Sequence, residues 1–184
     1  MCTLIHIASS TIRALALFGI LGVAGCSDMA TDSALANART SPEALARAAL
    51  DAIEAGDEAR LAALLITREE YETLLWPALP DRHQMPFDFA WSYTAPRSRN
   101  ARKEVISRYE GVPLALERVE LGTEVEPYES FALYRRSRMW VRRTDTGEIG
   151  MLPLMDTLLE LEGAWKFMNF VDDASRPPEG SGSS

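Results

Sequence analysis

The apolar residues of this chain change their spacing once, around Gly111-Val112-Pro113, and that change limits the folds open to it. Before that point they recur three and four apart, as on one face of a helix. After it they alternate or run together, as in strands. Helices first and strands afterwards is the order of an α+β domain.

Ser41 is placed to cap a helix with Pro42 at its first position, and Leu45, Ala48, Ala49, Ala52 and Ile53 keep helical spacing up to Gly56. Asp57 opens a second, short helix through Leu61, Leu64 and Leu65. Thr67-Arg68-Glu69-Glu70 has capping-box spacing, with Ile66 and Tyr71 in staple positions. It predicts a third helix that carries Leu74, Leu75 and Trp76 and ends before Pro77. The three-proline stretch from Pro77 to Pro86 reads as a stiff loop. Helical spacing then resumes in Phe87, Ala90, Trp91 and Thr94, and again in Ala101, Val105 and Tyr109. Pro96 between the two groups predicts a kink or two separate helices.

Beyond Gly111, Leu114 to Leu121, Ser130 to Arg143, Glu148 to Leu161 and Ala164 to Val171 read as strands. Turn residues at Glu126-Pro127, Asp145-Thr146-Gly147 and Glu162-Gly163 join them into an antiparallel meander. Pro153 breaks the third strand or puts it at an edge. In the last strand Trp165, Phe167 and Val171 share one face while Met168 and Phe170 share the other, so it should be covered on both sides.

Ala14 to Ala24 is an apolar run of signal-peptide size, too short for a spanning helix, which needs roughly 20 such residues. It closes on Val23-Ala24-Gly25-Cys26. These four residues resemble the lipobox of bacterial lipoproteins: a branched aliphatic, two small residues, then cysteine. The resemblance implies cleavage after Gly25 and lipidation of Cys26, whose acyl chains (palmitate among them) hold the protein on a membrane when two or more are present. Ser27, rather than Asp, follows the cysteine. In that family this implies the outer membrane, with the protein facing the periplasm.

The expected organisation is a leader over 1–25, a lipidated flexible tether over 26–40, one domain over 41–173 and a disordered tail over 174–184. As a flexible coil the tether would reach ~20 Å on average. Arg13 is the only Lys, Arg, Asp or Glu before Cys26, so the formal net charge of −8 becomes −9 beyond the leader. So acidic a chain repels phosphate backbones, and no nucleic-acid partner is expected. Cys2 and Cys26 are the only cysteines, so cleavage leaves no pair to form a disulfide.

From about Pro42 to Val171, the order of the elements, their length and the closing Gly-Ala-Trp-Lys-Phe-Met-Asn-Phe-Val strand resemble the NTF2-like (SnoaL-like, ketosteroid-isomerase-like) superfamily. The resemblance implies N-terminal helices packed into a curved antiparallel sheet of four or slightly more strands, forming a cone. It also implies a small strand between the early helices, which the residue pattern does not locate.

Candidate chemistry is sparse. His83 is the only histidine beyond the leader, and beside Asp81 and Arg82 it could serve as a general base; its ordinary use is a solvated loop residue. Asp88, among Phe87, Phe89 and Trp91, could hold a raised pKa in an apolar setting or simply favour a helix N-terminus. Asp156, in the strand that Pro153 interrupts, is a third candidate. Cys/His zinc is excluded by count, and no metal or cofactor is expected. No G-x-S-x-G elbow, P-loop or G-x-G-x-x-G is present.

Phe131, Leu133, Met139 and Val141 share one parity and should face the core, leaving Tyr134, Arg136, Arg138, Trp140 and Arg142 on the other side. Arginines two apart with an aromatic between them suit carboxylates or phosphates. Glu117, Glu120, Glu124, Glu126 and Glu129 precede them and offer cross-strand pairing instead.

Two functions fit. One is a membrane-anchored envelope lipoprotein, non-catalytic, whose domain binds a small ligand or another envelope protein. The other is a small-pocket enzyme of isomerase, dehydratase or hydrolase type with Asp88 or His83 as base. The second needs a pocket that encloses one of those groups.

Overall fold

The computed structural model describes residues 34–170, apart from the side chains of residues 93, 94, 96 and 97. The leader, Cys26 and the 174–184 tail lie outside the described residues. The fold is α+β, with helices before residue 110 and two antiparallel sheets of three and four strands after it.

Helix α1 (Pro42–Glu54) starts as its sequence requires: Ser41 Oγ accepts from Ala44 N, with Pro42 in the first turn. Asp57 caps α2 (Glu58–Ala63) in the same way through Arg60 N. Thr67 and Glu70 form the expected capping box on α3 (Arg68–Glu70), and the staple residues Ile66 and Tyr71 are both buried in one cluster. The chain then continues as a single π-helical turn, Tyr71–Leu75, and a 3-10 turn, Trp76–Ala78, rather than as regular helix. The fourth helix is not divided in two. α4 (Phe87–Tyr109) runs through Pro96 without interruption. One missing hydrogen bond is tolerated because both halves are packed, Trp91 in one core and Ala101 and Val105 in the other.

Among the described residues seven strands occupy the second half: β1 (Leu114–Glu120), β2 (Glu124–Pro127), β3 (Ala132–Arg135), β4 (Arg138–Arg143), β5 (Ile149–Leu152), β6 (Met155–Leu161) and β7 (Ala164–Phe170). They pair as β1-β4-β5 and β2-β3-β6-β7. The meander is thus present, but it is creased. The runs over 130–143 and 148–161, read as single strands, each divide between the two sheets, at Arg136-Ser137 and at Pro153-Leu154. The first run breaks at 121–123 as well, and its extension, β2, lies where only a turn was expected. Hydrogen bonds join the breaks into one line. Gly122 N donates to Ser137 Oγ at 3.1 Å, and Ser137 N donates to Asp156 O at 2.8 Å.

The crease also changes which way side chains point. Phe131, Leu133, Met139 and Val141 are all buried, as parity predicts, but not in one core. Leu133 joins Leu159 and Leu161 on one side, whereas Met139 and Val141 join Leu158 and Phe167 on the other. The cause is local: Arg136 adopts φ +60, a left-handed conformation that costs a side-chain-bearing residue ~1–2 kcal/mol and turns the strand over. A register shift between β6 and β7 has a similar effect on Phe170, which packs against Phe167 instead of opposite it. Alternate residues of β6 therefore feed two cores, so the four-stranded sheet is covered on both faces, as expected for its last strand.

One boundary also moves. The stretch assigned to the flexible tether is ordered where it is described. Leu35 is buried in the second core, Ala36 N donates to Glu70 Oε1 at 2.7 Å, and Arg39 exchanges backbone hydrogen bonds with Trp165. The domain therefore begins before Ser41. A single leucine with a pocket to fill outweighs the polar composition around it. On the same outer edge of β7, Phe167 N donates to Leu64 O and Ile66 N donates to Phe167 O, a short parallel bridge between α2 and α3. The two contacts leave little of β7 as a free edge. Among the described residues no helix is long and apolar enough to cross a membrane.

Candidate functional site

The three titratable candidates do not converge. His83 is exposed at the end of a 3-10 turn (Pro80–His83), where its Nε2 accepts from Arg82 Nε at 3.0 Å. Asp88 is not in an apolar setting: its side chain is 80% exposed in the first turn of α4 and ion-paired with Arg68. Asp156 is half-buried and holds the β6–β7 irregularity, its Oδ2 accepting from Asn169 Nδ2 and Thr157 Oγ1. None of the three lines either of the two clefts described below. Among the described residues no group of three or more His, Cys, Asp or Glu could hold a metal ion.

The arginine stripe is real as a surface but is mostly paired. Arg142 donates to Glu117 from two nitrogens, Arg136 lies 3.5 Å from Glu124, and Arg135 takes Glu126. Trp140 is covered by the Arg118 guanidinium at 4.4 Å from its ring centroid, and Arg118 also bonds Glu120. Arg138 faces Glu120 across the β1–β4 ladder. Arg136 and Arg138 line a groove of about 310 Å³ over the crease, together with Glu120 and Glu124. Its mixed charge is that of a solvated sheet face. Because such pairs are solvent-screened, Arg142→Ala should change unfolding free energy by no more than ~1 kcal/mol in urea titrations.

A buried ion pair escaped the reading of the residues. Lys166, at the centre of β7, is fully buried, and its Nζ donates to both oxygens of Glu70 at 3.0 and 2.8 Å. Glu70 also accepts from Thr67 N and Ala36 N, both at 2.7 Å. Burial pushes the Glu70 carboxyl up, but the Lys166 ammonium and the two backbone donors outweigh it and hold the pKa below the ordinary value. Burial draws the Lys166 pKa down, with Glu70 pulling back. The signal was present: a lysine between Trp165 and Phe167, in a strand covered on both faces, requires an acid. The pair closes on itself, ties three segments together and lines neither cleft.

The second cleft has unused chemistry. It lies between α4, the α2–α3 connection and β7, with a cavity volume of about 210 Å³. Trp91, Ala95, Ser98 and Arg102 fall on one face of α4 at helical spacing. Their small members, Ala95 and Ser98, leave room opposite Leu65, Ile66 and Met168. Ser98 is 4% exposed, and its Oγ has no hydrogen-bond partner. Arg102 Nε is likewise buried without one, although the guanidinium lies 3.6 Å from Glu58 Oε1. Burial lowers the Arg102 pKa, and Glu58 offsets part of that. A buried donor left without a partner costs ~1–3 kcal/mol, and these two atoms are closed off from the cleft as well as from solvent. Neither residue could be picked out beforehand, since Ser98 and Arg102 in a long polar helix look like surface residues. Compared with known protein families, curated proteins and solved structures, the chain matches none of them.

Proposed function

We propose that this is a non-catalytic ligand-binding domain of NTF2-like build, tethered through lipid on Cys26 to a bacterial membrane, with the outer membrane facing the periplasm as its place. The observation that carries the binding reading is the α4 cleft itself, a cavity of about 210 Å³ with Arg99 and Arg102 beside an apolar wall of Leu65, Ile66, Trp91 and Met168. His83, Asp88 and Asp156 stand outside it, each engaged elsewhere. The NTF2-like build is supported by early helices packed on a creased meander and by the short bridge between α2 and α3. The tether is supported by the Val-Ala-Gly-Cys sequence.

The two halves of this reading are tested separately. Labelling with radioactive palmitate in the native host is expected for the wild type and abolished in Cys26→Ala; persistent labelling of the variant would remove the anchor. Compounds that co-purify with the domain should be recovered chemically unchanged after prolonged incubation. Conversion to a product would overturn the non-catalytic half.

A further inference from the structure

The two sheets end in the outer strands β1, β5, β2 and β7, and all but β5 are blunted against further pairing. Arg39 and the α2–α3 connection cover β7. β2 carries Glu124, Glu126 and Pro127, and β1 carries a register shift between Leu116 and Arg118. Charges, a proline and an irregularity are the usual means by which a sheet refuses another strand. β5 has none of them. It reads Ile149-Gly150-Met151-Leu152, with Ile149 44% exposed and Gly150 exposed beside it. Arg143 N donates to Glu148 O, and the β4–β5 register alternates from there, so the N–H and C=O groups of Ile149 and Met151 point away from β4. Among the described residues nothing meets them.

We infer that this edge takes a second copy of the chain, β5 against β5, antiparallel about a two-fold axis at Gly150. The inference goes beyond the ligand-binding reading and does not depend on it. In this register Ile149 of each copy exchanges both backbone hydrogen bonds with Met151 of the other. Gly150 meets Gly150 at the closest point of the ladder, where open space surrounds each. The pairing also stops by itself. The next outward positions are Gly147, whose N–H is spent on Arg143 O, and Pro153, which has none. On the outer face Met151, with Trp140 beside it on β4, covers Ile149 of the other copy. Charge selects this partner: Glu148 falls opposite Leu152, so no like charges meet. β2 paired in the same way about Val125 sets Glu124 against Glu126. So short a strand buries less than the ~1,000 Å² of a stable interface, and the dimer is weak, with a dissociation constant on the order of 100 µM. Copies anchored on one membrane, as proposed above, meet at a higher effective concentration than in bulk.

The test uses the chain beyond the leader with Cys26→Ser, so that no native thiol can join two copies. Sedimentation equilibrium between about 10 µM and about 1 mM is expected to show reversible dimerisation. Ile149→Lys places a charge on an already exposed edge position, so the fold should survive while association weakens roughly tenfold or more. Gly150→Cys reads the axis. Partners that are not hydrogen-bonded to each other stand with Cα atoms ~4.5 Å apart, within disulfide range. Mild oxidation should therefore link Gly150→Cys into a covalent dimer roughly tenfold faster or more than Val125→Cys on the β2 edge. A monomer at every concentration, undiminished association of Ile149→Lys, or equal oxidation of the two cysteine variants would each overturn the assignment. Dimerisation only after removal of residues 171–184 would make the chain's own tail the occupant and would overturn it as well. None of these results bears on the α4 cleft or on Cys26 labelling.

Discussion

Replacing Lys166 by methionine should destabilise the domain by about 3–5 kcal/mol at neutral pH, the cost of leaving one member of a buried ion pair behind. Methionine keeps most of the stem and fills the same space on the face of β7 opposite to Trp165 and Phe167, so the loss is electrostatic rather than a cavity. Glu70, 7% exposed, would be left facing an apolar side chain with only the Thr67 and Ala36 amides to hold its charge. Against a total of about 5–15 kcal/mol for a domain, that is roughly a fifth or more. Urea denaturation gives the number. Adding Glu70→Gln to Lys166→Met should recover part of it, because glutamine carries no charge and its one amide oxygen still accepts from one of the two amides that Glu70 serves with separate oxygens. A single variant within ~1 kcal/mol of wild type would mean that the pair does not form.

The same pair fixes a sign for pH. In the wild type the folded Glu70 pKa lies below its ordinary value of 4.5, so the folded state holds fewer protons than the unfolded state in mild acid. Its stabilisation is complete above the ordinary glutamate pKa and is lost as pH falls through the depressed one. In Lys166→Met the cation is gone while burial, the largest single influence on Glu70, remains, so the folded pKa should rise. That variant should therefore lose less stability than the wild type as Glu70 takes up a proton. The gap between wild type and variant should narrow from about pH 7 down to about pH 4, whereas a packing defect would leave it unchanged.

These residues also show what could be read in advance. Thr67-x-x-Glu70 announced its capping box because the partners are adjacent in sequence. Lys166 lies 96 residues from Glu70, and no local pattern joins them. The four-run meander was legible from alternation and turns, and Pro153 marked one break. The break at Arg136 was not legible, because a left-handed arginine carries none of the glycine signal that such a conformation normally leaves. Composition misjudged 34–40, where one leucine finds a core, and Pro96 left open a division of the helix that packing on both sides prevents. The cleft depends on how far α4 stands from β7. That distance is set by small residues in the helix and by the two cores it joins, and periodicity is blind to it.

Gly122 should be the least replaceable glycine in the described domain, and Gly122→Ala should cost about 3 kcal/mol or more, at the upper end of overpacking effects. A Cβ at this position would sit 1.6 Å from the Arg135 carbonyl oxygen and 2.7 Å from its carbon. Both atoms are backbone, so no rotamer change can relieve the clash. The β1–β2 break must move away from β3, stretching the Gly122 N to Ser137 Oγ bond and with it the line through Ser137 to Asp156. Since that line is where the two sheets part, the damage should spread to both cores instead of staying in a surface turn. Gly150→Ala supplies the comparison: it lies in β5 with nothing within 4 Å of its would-be Cβ, so it should be neutral or slightly stabilising. Thermal unfolding by circular dichroism separates the two. If Gly122→Ala melts with Gly150→Ala and the wild type, the β1–β2 connection does not approach the Arg135 carbonyl so closely.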